Sequence, residues 1–354
     1  MNVNKHLNVF IMIFTFLVLS KSSTAQIGGS STYSFLNVAN SARVSATGGS
    51  LISIRDNDIS LISLNPSLLN SSMNNNLVLS YNSYPAKISF GNIAYAHYFP
   101  RFGSFSSSIQ YANYGSFTRT DETGLELGSF YAAEYSFNIS WARQLDSLFS
   151  IGASVKNIYS SLESYKSYGI ATDLGVTYFN RKHRFSAAMV ILNYGRQLKQ
   201  YTPDNNESLP FDLRLGVSKR LLHLPFRYSV TIKHLQKYDL TYENPVNPSV
   251  KTDPITNQPI PENKYSKFAD KLMRHVLVGG ELFPDRNFNV FLGYDYQKQQ
   301  EMKLTSQFSL VGFSFGFGLK ISRFGFSYAH NTLDIAGSSN TFTIITNLNP
   351  KSIK

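Results

Sequence analysis

The chain has 354 residues, with 33 Lys and Arg against 22 Asp and Glu, a formal charge of +11. Only 16% of it is charged and 14% is aromatic, including 27 Phe and 22 Tyr. That excludes a disordered chain, which would carry more charge and fewer rings. Cysteine is absent, which excludes a disulfide scaffold and thiolate-held zinc or iron–sulfur chemistry.

The N-terminus carries Lys5 and then an apolar run from Val9 to Leu19. That run is too short for a bilayer-spanning helix, which needs about 20 residues. Ser23-Thr24-Ala25 places small residues before a cut at Gln26. Residues 1–25 therefore read as a secretory signal peptide. Export argues against cytosolic cofactor chemistry, and no cofactor is expected.

Residues 26–75 are turn-rich with short helical stretches. Asn40-Ser41-Ala42-Arg43 looks like a helix start, and residues 56–58 could cap a second short helix over 59–64, ended by Asn65-Pro66. Leu51, Ile52, Ile54, Ile59, Leu61, Ile62, Leu64, Leu68 and Leu69 make a solvated tail a poor reading. The expectation is a plug that folds into a barrel lumen, against a small-residue face such as residues 312–318.

From residue 76 onward, alternation at period two dominates. Val311, Phe313, Phe315, Phe317, Leu319 and Ile321 share one face, opposite Gly312, Ser314, Gly316, Gly318 and Lys320. The same pattern recurs in about fourteen stretches of roughly 9–15 residues, longer than globular strands and suited to a bilayer. Connections after even strands are tight, whereas those after odd strands mostly run longer. Residues 76–354 are thus expected to form an all-β, transmembrane antiparallel barrel. Hydrocarbon offers no hydrogen bonds, so the sheet must close. A cylinder of this size also needs something besides wall side chains to fill it.

Gly312-Phe313-Ser314-Phe315-Gly316 matches a hydrolase pattern, but that chemistry requires a strand–turn–helix elbow, and here the serine sits within an alternating strand. His97, His183, His223, His234, His275 and His330 are scattered without metal spacing. The chain reads as non-enzymatic, and its basic excess fits anionic lipid head groups and lipopolysaccharide better than nucleic acid.

The longest connection, residues 238–272, contains Pro245, Pro248, Pro254, Pro259 and Pro261 with Tyr238, Tyr242 and Tyr265. Repeated proline favours extended chain, and tyrosines anchor interfaces. The segment is expected to be an external docking arm for a surface protein, with a disordered loop or a gate over the barrel mouth as the alternative.

Several stretches carry a family resemblance. Residues 28–37 (GGSSTYSFLN), followed by Asn40-Ser41-Ala42-Arg43 and Gly48-Gly49, resemble the mature N-terminus of PorQ-type outer-membrane proteins of the Bacteroidetes type IX secretion system. Asn65-Pro66-Ser67-Leu68-Leu69 is similar to an Asn-Pro-Ala-Gly-Leu-type plug motif of FadL/PorV-like barrels, with Ser67 and Leu68 departing from it. The resemblance implies a 14-stranded FadL-like barrel in the outer membrane, plugged by its N-terminal segment, with long loops outside. It further implies an attachment complex in which the barrel holds a PorZ-like surface protein beside PorU-like and PorV-like components. The rival expectation is a FadL-like transporter of hydrophobic small molecules. The polar inward faces of the strands speak against it at this level.

Overall fold

The computed structural model describes residues 31–203, 205–241, 264–284, 286–302, 310–333 and 337–349. The signal-peptide reading and most of the proline-rich arm, including Tyr242, Pro245, Pro248, Pro254, Pro259 and Pro261, lie outside the described residues.

Fourteen antiparallel strands close into a barrel. They are β1 (Asn76–Ser83), β2 (Ser89–Phe99), β3 (Gly103–Thr120), β4 (Glu126–Gln144), β5 (Phe149–Leu162), β6 (Tyr165–Asn180) and β7 (Phe185–Lys199). β8 (Asp212–Arg220), β9 (Phe226–Ile232), β10 (Val276–Leu282), β11 (Phe288–Asp295), β12 (Phe313–Ile321), β13 (Phe324–Thr332) and β14 (Ser338–Asn347) complete the circuit. Every strand pairs with its sequence neighbours, and closure comes from β1 against β14, with Asn76 opposite Asn347 and Ser83 opposite Asn340. Closure satisfies the ladder groups that hydrocarbon cannot.

The alternation sorts the side chains as the pleat requires. On β12, Phe313, Phe315, Phe317 and Leu319 are exposed on the outside, while Ser314 is buried on the lumen side. Leu174 and Val176 of β6, Leu215 and Val217 of β8, and Ile344 of β14 continue the exposed apolar belt. Such a belt would cause aggregation in water and is the outer surface of a membrane barrel. Val311 departs from the expected face. It is fully buried in a turn just before β12 rather than on the strand.

Connections after even strands are short, as from Asn180 to Phe185 and from Ile321 to Phe324. Those after odd strands are longest at β9–β10 and β11–β12, but the β5–β6 turn is equally tight, running from Leu162 to Tyr165. The barrel therefore has a long-connection end and a short-turn end. Two helices stand at the long-connection end: α2 (Lys264–Met273) and α3 (Tyr296–Met302). The sequence reading made the first of these extended and missed the second. They follow α1 (Ala42–Ala46), which lies in the N-terminal segment.

Residues 31–75 fill the lumen. Phe35, Leu51, Ile52, Ile59, Leu61 and Leu68 are fully buried there. Ser41 caps α1 by accepting from the Val44 N–H, and Asp58 caps a 3-10 helix over Ile59–Ser63. α1 packs on the small-residue faces of β12 and β13. A Cβ at Gly316 would come within 2.8 Å of the Ala46 methyl.

Candidate functional site: the filled lumen and its two mouths

The wall faces inward largely with serine, threonine, asparagine and a few charges; most of the large apolar side chains in the lumen come from the N-terminal segment. Val44, Leu51, Ile52, Ile54, Leu61, Leu64 and Leu68 form one cluster, joined by Val190 and Leu192 of β7. The polar inward faces read from the strands are real, but they do not make the lumen polar.

Three sets of contacts fasten the segment to the wall. The first is Asn65-Pro66-Ser67, at the start of a 3-10 turn over Pro66–Leu68. Asn65 Nδ2 donates to the Ile52 carbonyl at 2.7 Å and to Thr177 Oγ1 at 3.0 Å. Ser67 Oγ lies 2.7 Å from the same Thr177 hydroxyl, and Ser150 Oγ donates to the Ser67 carbonyl at 2.8 Å. The turn sits so close that a Cβ at Gly152 would lie 2.4 Å from the Pro66 carbonyl carbon. Glycine on β5 is what admits the motif.

The second set is ionic. Arg43 Nε meets Glu281 Oε1 at 2.7 Å, Nη2 meets Asp56 Oδ2 at 2.7 Å, and Nη1 meets Asp58 Oδ2 at 3.0 Å. Arg227 of β9 bridges Asp56 at 3.2 Å and Glu281 at 3.0 Å. Burial alone would lower the Arg43 pKa, but Asp56, Glu281 and Asp58 raise it well above the ordinary arginine value. Burial would likewise raise Asp56, yet Arg43 and Arg227 hold its carboxyl down to about 2.

The third set lies at the long-connection end. Ser314, the serine of the apparent hydrolase pattern, donates to the Ala46 carbonyl at 3.0 Å and accepts from the Gly48 N–H at 3.2 Å. It is a fastening to the N-terminal segment. Gly312, at φ +85°, lies in the turn outside the strand, so no nucleophile elbow forms.

Each mouth holds cavities. At the long-connection end, a cavity of about 460 Å³ is lined by Tyr33, Tyr114, Tyr165, Tyr201, Leu162 and Glu134, among others. The hydroxyls of three of these tyrosines are engaged: Tyr33 with Ser167, Tyr114 with Glu134, and Tyr201 with Ser160 at 2.6 Å. Burial pushes the Tyr201 phenol up to about 12, so it stays neutral. Beneath the rings lie Phe35, Leu36, Ala112, Ile158 and Leu209. No signal in the sequence joined these residues, because they come from the N-terminal segment, four strands and the β7–β8 connection. At the short-turn end, a cavity of about 550 Å³ borders the Arg43 cluster.

The arm residues that can be placed stand outside the barrel. Tyr238 lies beneath the Lys271 ammonium, 5.9 Å from its ring centre, and Tyr265 is 85% exposed on α2. Lys271 also pairs with Asp239 at 2.6 Å.

No family model matches the chain, and no curated protein matches it. Solved structures do. A TodX monoaromatic hydrocarbon channel carrying a deltaS2 mutation is similar at 12% identity over 88% of this chain and all of its own, with a TM-score of 0.52. The P. putida toluene transporter TodX matches at 11% identity, covering 89% of this chain and 99% of its own, with a TM-score of 0.51. A Pseudomonas aeruginosa FadL homologue matches at 9% identity over 88% and 98%, with a TM-score of 0.50. The fold is therefore a closed FadL-like barrel of fourteen strands.

Proposed function

We propose that this barrel takes up a small hydrophobic or amphiphilic molecule at its long-connection mouth and passes it inward past the N-terminal segment. One observation carries the reading: the tyrosine-lined cavity of about 460 Å³ above an apolar floor. Its size lies within the usual range for small-molecule pockets. Ser31, Thr32, Ser34, Thr202, Asn205 and Glu207 also line it, so with three tyrosine hydroxyls engaged inside the protein the site offers a guest ring and aliphatic carbon beside polar groups. Similar barrels whose titles describe a monoaromatic hydrocarbon channel and a toluene transporter support this reading. The test is a titration of toluene into the nanodisc-embedded protein, followed by tyrosine fluorescence. Saturable binding should weaken about 10-fold when Tyr114 and Tyr201 are both replaced by alanine, the loss expected for about 1.4 kcal/mol. Equal binding by the variant would defeat the reading.

A second reading rests on a separate observation. α2 stands outside the barrel with Tyr265 85%, Phe268 56% and Leu272 55% exposed. Exposed aromatic and aliphatic residues at one site mark a partner surface. This favours a docking function for the outer face. Its occupant would be a PorZ-like surface protein of a type IX attachment complex, with PorU-like and PorV-like neighbours. Replacing Tyr265 and Phe268 by serine should release such a partner in a pull-down from solubilised membranes while the barrel still assembles. Undiminished recovery would remove this reading.

A further inference from the structure

The tyrosine-lined cavity at the long-connection mouth is one-sided in charge. Glu134 of β4 and Glu207 of the β7–β8 connection line it together with Tyr33, Tyr114, Tyr165 and Tyr201. No lysine, arginine or histidine lines it among the described residues. Composition does not explain this, because the chain as a whole is basic, at a formal +11. Nor is the pattern shared by the whole mouth. The next cavity there, of about 280 Å³, is lined by Arg214, Lys233 and Lys298 against Asp295.

Glu134 is only 4% exposed, and the Tyr114 hydroxyl donates to it. Glu207 accepts from Asn205 Nδ2 at 3.3 Å. Both donors are neutral, so neither hydrogen bond supplies a countercharge. A carboxylate taken out of water without a cation is costly, and a second one facing the same space adds repulsion. The charge of both reaches the Tyr33 phenol. Burial raises its pKa most, hydrogen bonds with Ser167 and Gln197 act against the rise, and Glu134 and Glu207 add to it.

The rings point the same way. Those of Tyr33 and Tyr201 stand 6.4 Å apart between centres and are inclined at 54°, so they form a corner rather than a stack. The hydroxyls of Tyr33, Tyr114 and Tyr201 are held by Ser167, Glu134 and Ser160, which fixes the rings at the wall. An aromatic face attracts a cation through its quadrupole, and more strongly in a desolvated site. Tyrosine rings around a space that also holds carboxylates favour a positive guest with an apolar body over a neutral or anionic one of the same size. We propose that this cavity selects an organic cation, an alkyl- or arylammonium, as its guest. The selection rests on the uptake function proposed above and fixes the sign of the guest's charge. At about 460 Å³, the space holds an ammonium group with its apolar substituents.

The experiment uses the full chain in maltoside micelles, because phosphatidylcholine would itself present a quaternary ammonium. Benzyltrimethylammonium, toluene and phenylacetate are each titrated by calorimetry at constant ionic strength. Benzyltrimethylammonium should bind saturably and at least ~10-fold tighter than toluene, and phenylacetate should bind more weakly than both. Glu134→Gln should lower the ratio of benzyltrimethylammonium to toluene affinity at least ~10-fold. A merely structural loss at the site would weaken both guests alike and leave that ratio where it was. Glu126→Gln removes an exposed carboxylate at the same mouth but outside the cavity, and should not change the ratio. If Glu134→Gln fails to assemble, Glu207→Gln on the β7–β8 connection makes the same comparison. Toluene or phenylacetate bound as tightly as benzyltrimethylammonium would overturn the selection while leaving an uptake site in place. A ratio unmoved by the cavity variant, or lowered equally by Glu126→Gln, would overturn it too. Saturable binding by none of the three would remove the uptake function and the selection together.

Discussion

Arg43 joins three carboxylates, two from its own segment and one from β10. Removing it would strand Glu281, only 2% exposed, against Arg227 alone. Arg43→Gln should therefore cost about 3–5 kcal/mol, the range for breaking a buried pair from one side. In a planar bilayer the variant should show raised conductance at neutral pH as the segment loosens; a conductance equal to the parent protein's would show that the ionic contacts do not hold it. The pH dependence follows from Asp56. Its folded pKa of about 2 lies below the ordinary 3.8, so its contribution is complete above about pH 4 and is lost as pH falls through about 2. The difference corresponds to about 1–2 kcal/mol, because the side chain keeps 24% exposure and solvent screens part of the effect. Conductance should stay constant from about pH 8 to about pH 5 and rise toward pH 2. A rise centred near neutral pH would assign the latch to another group.

At the scale of elements, the 3-10 turn over Pro66–Leu68 depends on glycine in β5. Gly152→Val would put side-chain atoms where the Pro66 carbonyl group lies. Overpacking of this kind costs about 1–3 kcal/mol, so the variant should melt earlier and expose residues 31–75 to protease. An unchanged melting temperature and cleavage pattern would mean that the turn docks elsewhere. How far elements were legible depended on whether their signal was local. β12 was legible because each outward residue from Phe313 to Ile321 is large and each inward one from Ser314 to Gly318 is small. The cap at Ser41 and the one at Asp58 were legible for the same reason. α2 was not, because nearby prolines dominated the reading of a stretch whose last part is helical. The bulge in β7 was not legible either. Asn193 adopts φ +56°, and its N–H is taken up by Asp173 of β6 at 2.8 Å, a partner that only the pairing register supplies. The Arg43 cluster and the tyrosine cavity join residues far apart in sequence, and no spacing in one chain announces such contacts.

For the whole molecule, an outside of exposed rings and aliphatic chains and an inside of small polar groups define one boundary around the barrel. The N-terminal segment then supplies the apolar volume that a 14-stranded wall cannot. The proposed entry at the long-connection mouth depends on this arrangement. The most direct test uses the absence of cysteine, which allows single cysteines to be placed without background. Spin labels at successive positions from 313 to 319 of β12 are read in nanodiscs for collision with oxygen, which partitions into lipid, and with a water-soluble nickel chelate. The account predicts high oxygen collision at 313, 315, 317 and 319, and low collision with both reagents at 314 and 316, where the N-terminal segment covers the wall. Nickel access at the odd positions, or no alternation along the strand, would contradict it.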